Sequence, residues 1–356
     1  MRIRVLLAFC LSLSASAAEP APPDLYATPA KLPLKPPTLS PVLAPDSTRD
    51  SWPQQREALR QLWQKELGTW PDKKVPLLPK VLGRESLDGF TRTHMQYQLE
   101  EGIWTDGYLL EPTPSSTPKL PAVVVFHPTT TLQAKGVAGV APEYTEDKQM
   151  GVHLVKRGYV VWCPRNYLFD DIDTGLKGTP HYTELTRRIQ QQHPDWTGLM
   201  RMLWEGVRAA DFVETLERVD PKRIGCIGHS LGAKVTLYAA AFDPRYRVAV
   251  FSEGGIGLGM SNWHDVWYLG KKIQAPDFPL DNHQVLALIA PRAFLLLGGD
   301  SADTDAAWAY INAARPAYKL FDADKNLAWW NHRLGHNYPP TVRAVAEDFL
   351  DKHLKQ

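Results

Sequence analysis

The chain has 356 residues, 44% apolar and 22% charged, with a formal net charge of +1. This is ordinary globular composition, with room for one large domain or two ordinary ones. A balance so near neutral offers no bulk basic field for nucleic acid and no acidic tail, so no nucleic-acid partner is expected.

Met1-Arg2-Ile3-Arg4, the apolar run Val5 to Leu13 and the small residues Ser14-Ala15-Ser16-Ala17-Ala18 before Glu19 read as a secretory signal, residues 1–18. The mature chain is therefore expected to be secreted or periplasmic. The apolar run is too short to span a bilayer, and no later stretch reaches about 18 uninterrupted apolar residues, so no membrane anchor is expected. Cys10 follows the bulky Phe9 where a lipoprotein signal needs a small residue, and it falls within the removed segment. The remaining cysteines, Cys163 and Cys226, lie in apolar strand-like runs, which points away from a disulfide framework. Nine prolines between Pro20 and Pro45 rule out a helix or central strand there, so residues 19–48 read as an extended arm or linker.

Asp50-Ser51-Trp52-Pro53 starts a helix whose Leu59, Leu62, Trp63, Glu66 and Leu67 recur at helical spacing until Gly68. Thr91 to Leu99 and Ile103 to Leu110 pair across Glu100-Glu101-Gly102 as an antiparallel hairpin. After the proline-rich loop Pro112 to Pro121 come short, wholly apolar runs: Ala122–Phe126, Tyr159–Cys163, Ile224–Ile227, Val248–Phe251 and Ala293–Leu297. Such runs are buried on both faces, the mark of a parallel sheet covered by helices. Helix candidates lie at Glu146–Arg157, Gly198–Arg218, Lys234–Ala241, Ala306–Ala314 and Val342–Leu354. The predicted fold class is α/β: one domain, residues 49–356, with a mostly parallel central sheet opened by an antiparallel hairpin and helices on both faces. Insertions are expected near 166–197 and 257–278.

Gly228-His229-Ser230-Leu231-Gly232 joins the run ending at Ile227 to the small-residue helix that follows. Gly-x-Ser-x-Gly in a strand, turn and helix lifts the serine hydroxyl clear of the sheet edge, and the glycines remove side chains that would collide where strand and helix approach. The turn also leaves the Leu231 amide at a helix N-terminus, aimed where an oxyanion would form. A serine hydroxyl is a poor nucleophile near neutral pH and needs a base oriented by an acid.

With these residues the chain resembles the α/β-hydrolase superfamily, and more narrowly the secreted bacterial esterases grouped with dienelactone hydrolases and acetyl xylan esterases. The resemblance runs from about residue 50 to 354. It is carried by Gly228–Gly232, Ser261-Asn262-Trp263-His264-Asp265, Leu288-Ile289-Ala290-Pro291-Arg292, Gly298-Gly299-Asp300-Ser301-Ala302-Asp303 and Gly335-His336-Asn337-Tyr338-Pro339-Pro340. It implies an α/β-hydrolase fold and a serine esterase that forms an acyl-enzyme at Ser230 without a cofactor. It also implies that the strand of Ala122 to Phe126 lies between those of Cys163 and Cys226, with the thiols about two strand spacings, ~9–10 Å, apart and beyond disulfide reach.

In this family acid and base follow the serine. His336, in a turn-rich loop before the closing helix, is the expected base, with His332 as its competitor. A two-histidine metal site lacks both an intervening glutamate and a third ligand, so no metal is expected. The acid normally stands a few residues beyond the glycine that ends the strand of Phe294 to Leu297, which favours Asp303, then Asp300, with Asp305 in the same loop. Glu253 is a third candidate because some relatives place the acid after the preceding strand; its other reading is a structural carboxylate tying down Gly254-Gly255. The second oxyanion donor belongs to the loop after the first parallel strand, where Pro128 has no amide proton, so Thr129 or a later residue must supply it. His127 reads as a packed loop histidine. Arg165 is a candidate substrate ligand, or a partner of Asp170 or Asp171; Trp263 is a candidate sugar-binding face, or a core plug.

The segment 166–197 is polar (Thr186-Arg187-Arg188-Ile189-Gln190-Gln191-Gln192-His193), unlike a greasy lid. A small-molecule or saccharide ester is therefore the expected substrate. Two other readings are a serine peptidase of the prolyl-oligopeptidase type, for which too few residues precede the hairpin to build a propeller, and a non-catalytic binding protein on a hydrolase scaffold.

Overall fold

The computed structural model describes residues 22–30, 32, 37–113, 119–170 and 172–356. The expected signal segment 1–18 and part of the expected arm lie outside the described residues. No described helix is long and apolar enough to cross a membrane.

Nine strands among the described residues form one sheet: β1 (Lys80–Leu87), β2 (Phe90–Glu100), β3 (Ile103–Pro112), β4 (Leu120–Phe126), β5 (Val160–Pro164), β6 (Val219–His229), β7 (Tyr246–Ser252), β8 (Ala293–Gly298) and β9 (Leu327–Asn331). Their order is β1-β2-β3-β5-β4-β6-β7-β8-β9. The first three neighbouring pairs are antiparallel and every pair from β5 onward is parallel. The helices are α1 (Trp52–Leu67), α2 (Gln133–Val137), α3 (Met150–Lys156), α4 (Thr179–Gln192), α5 (Gly198–Glu214), α6 (Leu231–Phe242), α7 (Val266–Leu269), α8 (Asn282–Ala287), α9 (Ala307–Lys319) and α10 (Pro340–Leu354). Two of them lie in the expected insertions: α4 within 166–197 and α7 within 257–278.

The central strands are apolar throughout because both faces are covered. Along β4, Ala122, Val124 and Phe126 join the core that α1, α5, α6, α8 and α9 pack against, while Val123 and Val125 join the core under α2, α3 and α10. The predicted hairpin is β2–β3, and the expected order of β5, β4 and β6 is present. Two strands escaped the sequence reading. In β1 seven of the eight residues are exposed, Val81 and Leu82 at 63% and 50%, so no buried face imposes an alternation. β9 is only five residues long and lies at the opposite edge.

The edge at β9 is covered by the N-terminal arm. The amide of Trp329 donates to the Leu25 carbonyl at 2.9 Å, its indole N–H donates to Ala27 at 2.8 Å, and the Tyr26 hydroxyl donates to the Lys325 carbonyl at 2.8 Å. An unpaired edge is a template for association, and a segment laid along it removes that hazard.

Cys163 and Cys226 are both free and fully buried, and they belong to the two different cores, on opposite faces of the sheet with β4 between their strands. Burial pushes both thiols well above their usual range. In the native protein neither is expected to react with a thiol-specific disulfide reagent, and both should titrate once guanidinium unfolds the chain. A bridge between them, detected by mass spectrometry without reduction, would contradict this topology.

Candidate active site

The chain passes from β6 into α6 through Ser230, whose backbone has φ 59° and ψ −119°. This is a strained conformation for a residue with a side chain, and it is held by neighbours. The Ser230 amide donates to the Ser252 carbonyl at 2.9 Å, and its own carbonyl accepts from Ala233 at 3.1 Å. A Cβ at Gly232 would lie 1.9 Å from the Phe126 carbonyl oxygen, and one at Gly228 would lie 2.2 Å from the Gly232 carbonyl carbon. Backbone touches backbone here, so only glycine serves at either position. The Leu231 amide is the first of α6 and, like every first-turn amide, has no partner within the helix.

His336 follows β9 in the loop that leads to α10. Its Nδ1 lies 3.0 Å from Oε2 of Glu253, the residue directly after β7. A proton on Nδ1 donated to that carboxylate leaves Nε2 free to accept one. Glu253 is itself in the left-handed region, at φ 52°, and its side chain is fully buried. Its carboxylate also accepts from the amides of Gly299, Ala302 (2.9 Å) and Asp303 (3.2 Å). Burial pushes the Glu253 carboxyl upward, but His336 and the three amides outweigh it and hold the group below its ordinary range.

Asp303, the acid favoured on sequence, is placed differently. Both its oxygens are engaged by backbone amides, Gly255 and Ile256, at 2.7 Å each. It is fully buried, and burial, reinforced by the nearby Glu253 charge, pushes its carboxyl up to about 6 against the pull of those amides. The carboxylate that ties down the glycine loop is thus Asp303, while Glu253 bonds the imidazole, the opposite of the placement favoured on sequence. The post-β8 loop curls back so that its amides meet the Glu253 carboxylate while its Asp303 side chain turns onto the Gly255 and Ile256 amides. Asp300 is taken up by Asn331 (2.6 Å) and Arg333 (3.1 Å), and Asp305 by Arg333 (2.7 Å) and Asn331 (2.9 Å).

His332 is buried, accepts at Nδ1 from the Leu334 amide (3.1 Å), and is pushed toward its neutral form by burial. His229, which sequence reasoning passed over, lies beside His336 with ring centroids 4.5 Å apart, and its Nδ1 is 3.0 Å from the Ser252 hydroxyl. Its burial keeps it neutral, so it adds no charge beside the base. His127 is a packed loop residue: its Nδ1 bonds the Pro128 carbonyl (2.8 Å), its Nε2 accepts from the Asn166 amide (3.2 Å), and burial lowers it to about 4. Thr129 follows it, exposed, in the loop after β4.

Neither expected substrate ligand is free. Arg165 bonds Asp106 at 2.5 Å and also Asp170, and Asp106 is shared with His94 at 2.7 Å. Trp263 has no exposed surface, and its indole N–H donates to the Gly255 carbonyl at 2.6 Å, so it presents no face to a sugar and acts as a core plug. A second residue missed on sequence is Lys234, a lone cation in the apolar helix α6 that is 1% exposed and donates to the Gly254 carbonyl at 2.5 Å. Its signal was available: a charge within a helix otherwise built of apolar and small residues.

The model of the dienelactone hydrolase family matches residues 105–257, a span that includes Ser230 and Glu253 and ends before His336. Among curated proteins, "Carbohydrate esterase MZ0003" of an unknown prokaryotic organism is 28% identical over 118 residues, covering 28% of this chain and 26% of that protein. The "4-O-methyl-glucuronoyl methylesterase 1" of Sodiomyces alcalophilus is 26% identical over 159 residues, covering 35% of this chain and 31% of that protein. The matched segments thus span less than a third of either relative's length. Among solved structures, a glucuronoyl esterase from Solibacter usitatus superposes with a TM-score of 0.70 at 19% identity, covering 91% of this chain and 100% of that one. A glucuronoyl esterase from Teredinibacter turnerae T7901 gives 0.67 at 22% identity, covering 88% and 89%. At such identities the likeness speaks for the fold. The chain has an α/β-hydrolase fold, and over residues 105–257, less than half of its length, it is similar to the dienelactone hydrolase family.

Proposed function

We propose that the protein is an exported serine hydrolase of carboxylic esters, with carbohydrate esters as its substrates. The observation that carries this reading is the Ser230 elbow together with His336 bonded at Nδ1 to the buried carboxylate of Glu253. In the reading, His336 Nε2 takes the proton of Ser230 as its oxygen attacks the ester carbonyl, and then delivers that proton to the departing alcohol. Water, deprotonated by the same nitrogen, attacks the acyl-enzyme and releases the acid and Ser230. Glu253 fixes the tautomer and stabilises the imidazolium, a task suited to a carboxylate kept ionised by three amides. The Leu231 amide is one oxyanion donor, and an amide of the loop from Thr129 onward is the second. No step calls for a cofactor.

The sugar-ester assignment draws support from the names of the relatives, several of them carbohydrate or glucuronoyl esterases, and from the polar surface of α4, where Glu184 pairs with Arg187 and Arg188. Export rests on the sequence of residues 1–18.

A fluorophosphonate probe is expected to label wild-type protein at Ser230. Methyl and benzyl glucuronoyl esters, acetylated xylan, p-nitrophenyl acetate and a peptide amide, assayed side by side, should show turnover of esters and none of the amide. Amide cleavage without ester cleavage would overturn the assignment. Ser230→Ala is expected to abolish labelling and lower turnover by at least about a thousandfold in folded protein.

Glu253→Gln and Asp303→Asn both remove a charge at nearly constant size. The first should lower kcat by about a thousandfold, because an amide does not hold the imidazole in the same tautomer; the second should cost about tenfold, acting through the loop. The reverse ranking in folded protein would return the acid role to Asp303.

A further inference from the structure

Lys234 stands four residues beyond Ser230, about one helical turn, and is the single charged residue of α6. Its ammonium lies 4.4 Å from the ring centroid of Trp263 and 5.3 Å from that of Tyr268, both from the second insertion, and it reaches the Ser261 hydroxyl at 3.3 Å. Among the described residues no carboxylate pairs with it; Asp303 and Asp265 act on it only from a distance. Burying an ammonium without a paired anion is costly, and where only stability is at stake an apolar side chain of similar volume is usually at least as good.

What the buried amine holds is the carbonyl of the residue after Glu253. From the Gly254 carbonyl to the Ile256 amide, four consecutive backbone groups are bonded by side chains. Lys234 takes the Gly254 carbonyl, Asp303 takes the Gly255 and Ile256 amides, and the Trp263 indole takes the Gly255 carbonyl. Glu253 needs such support, since its left-handed backbone is unfavourable for a residue with a side chain. We propose that Lys234 is a positioning residue for Glu253: its ammonium, caged by Trp263 and Tyr268 and bonded to the Gly254 carbonyl, keeps the left-handed turn that aims the carboxylate at Nδ1 of His336. The proposal rests on the reading of Ser230, His336 and Glu253 as a catalytic triad. It also gives the insertion 257–278 a route to the triad that does not involve touching substrate.

The test uses p-nitrophenyl acetate hydrolysis, the rate of fluorophosphonate labelling and thermal melting on four full-length proteins: wild type, Lys234→Met, Glu253→Gln and the double variant. Lys234→Met is expected to lower kcat about tenfold or more, to slow labelling in parallel, and to leave KM within about threefold. In the Glu253→Gln background the same substitution should change kcat less than about twofold, because the group Lys234 acts through is already lost.

Three results would overturn the proposal. They are an unchanged kcat in Lys234→Met, a raised KM with kcat retained (the mark of a substrate ligand), or losses that simply multiply in the double variant (the mark of a general structural role). Should Lys234→Met fail to fold, Trp263→Phe, which keeps an aromatic ring but deletes the bond to Gly255, is carried through the same cycle with the same criteria and a loss of at least about threefold. Wild-type protein that neither hydrolyses the ester nor takes up the probe would overturn the proposed function along with it, whereas labelling of wild type together with an unchanged variant rejects only the role of Lys234.

Discussion

Two loops at the ends of β7 and β8 hold each other through an exchange of carboxylates, and the geometry of the site depends on that exchange. Glu253, from the first loop, accepts amides of the second; Asp303, from the second, accepts amides of the first. A backbone amide bonded to a carboxylate makes a stronger hydrogen bond than one between neutral groups, and in a region closed to water an unmade one would be expensive. Neither loop could move alone without orphaning amides in the other. The exchange also separates two carboxyl groups of one neighbourhood: Glu253 is held below its usual range and Asp303 is raised to about 6. The one that bonds the imidazole is the one whose charged form its neighbours favour.

The parallel strands supply the rigid base for this. β6, β7 and β8 are adjacent in the sheet and end on the same side, so the serine, the carboxylate and the loop that braces the carboxylate issue from three neighbouring strand ends. The Ser230 amide bonded to Ser252, and the Glu253 amide bonded to Leu297 at 2.8 Å, stitch each turn to the next strand over. The close approach of Gly232 to the Phe126 carbonyl adds β4 to the same assembly.

Much of this was legible in the sequence. Apolar runs with no alternation gave the parallel strands, because burial on both faces leaves no polar positions, and Gly228, Ser230 and Gly232 marked the elbow because that close approach admits nothing larger. β1 was invisible because an exposed edge strand places no demand on composition. The choice between Glu253 and Asp303 was beyond the sequence for a different reason. Both are acids a short way past an apolar strand, and what distinguishes them is the path of the two loops, which turns Asp303 onto the Gly255 and Ile256 amides and leaves Glu253 facing His336. Trp263 and Arg165 show the same limit: an aromatic or a cation near a strand end reads equally as a ligand or as a brace, and only the neighbours, the Gly255 carbonyl for one and Asp106 for the other, decide.

The docked arm bears on when the proposed site can assemble. β9, which leads into the His336 loop, is paired on one side by β8 and braced on the other by Leu25 and Ala27, residues about 300 positions earlier in the chain. Ser230 and Glu253 lie within the segment that matches the family model, while β9 and the His336 loop that follows it come later in the chain. A chain folded only through β7 and Glu253 would hold Ser230 and Glu253 without His336, the base of the proposed triad. The proposed constellation closes only when β9 is seated between β8 and the arm residues Leu25 and Ala27, so segments about 300 positions apart are fastened together beside the His336 loop.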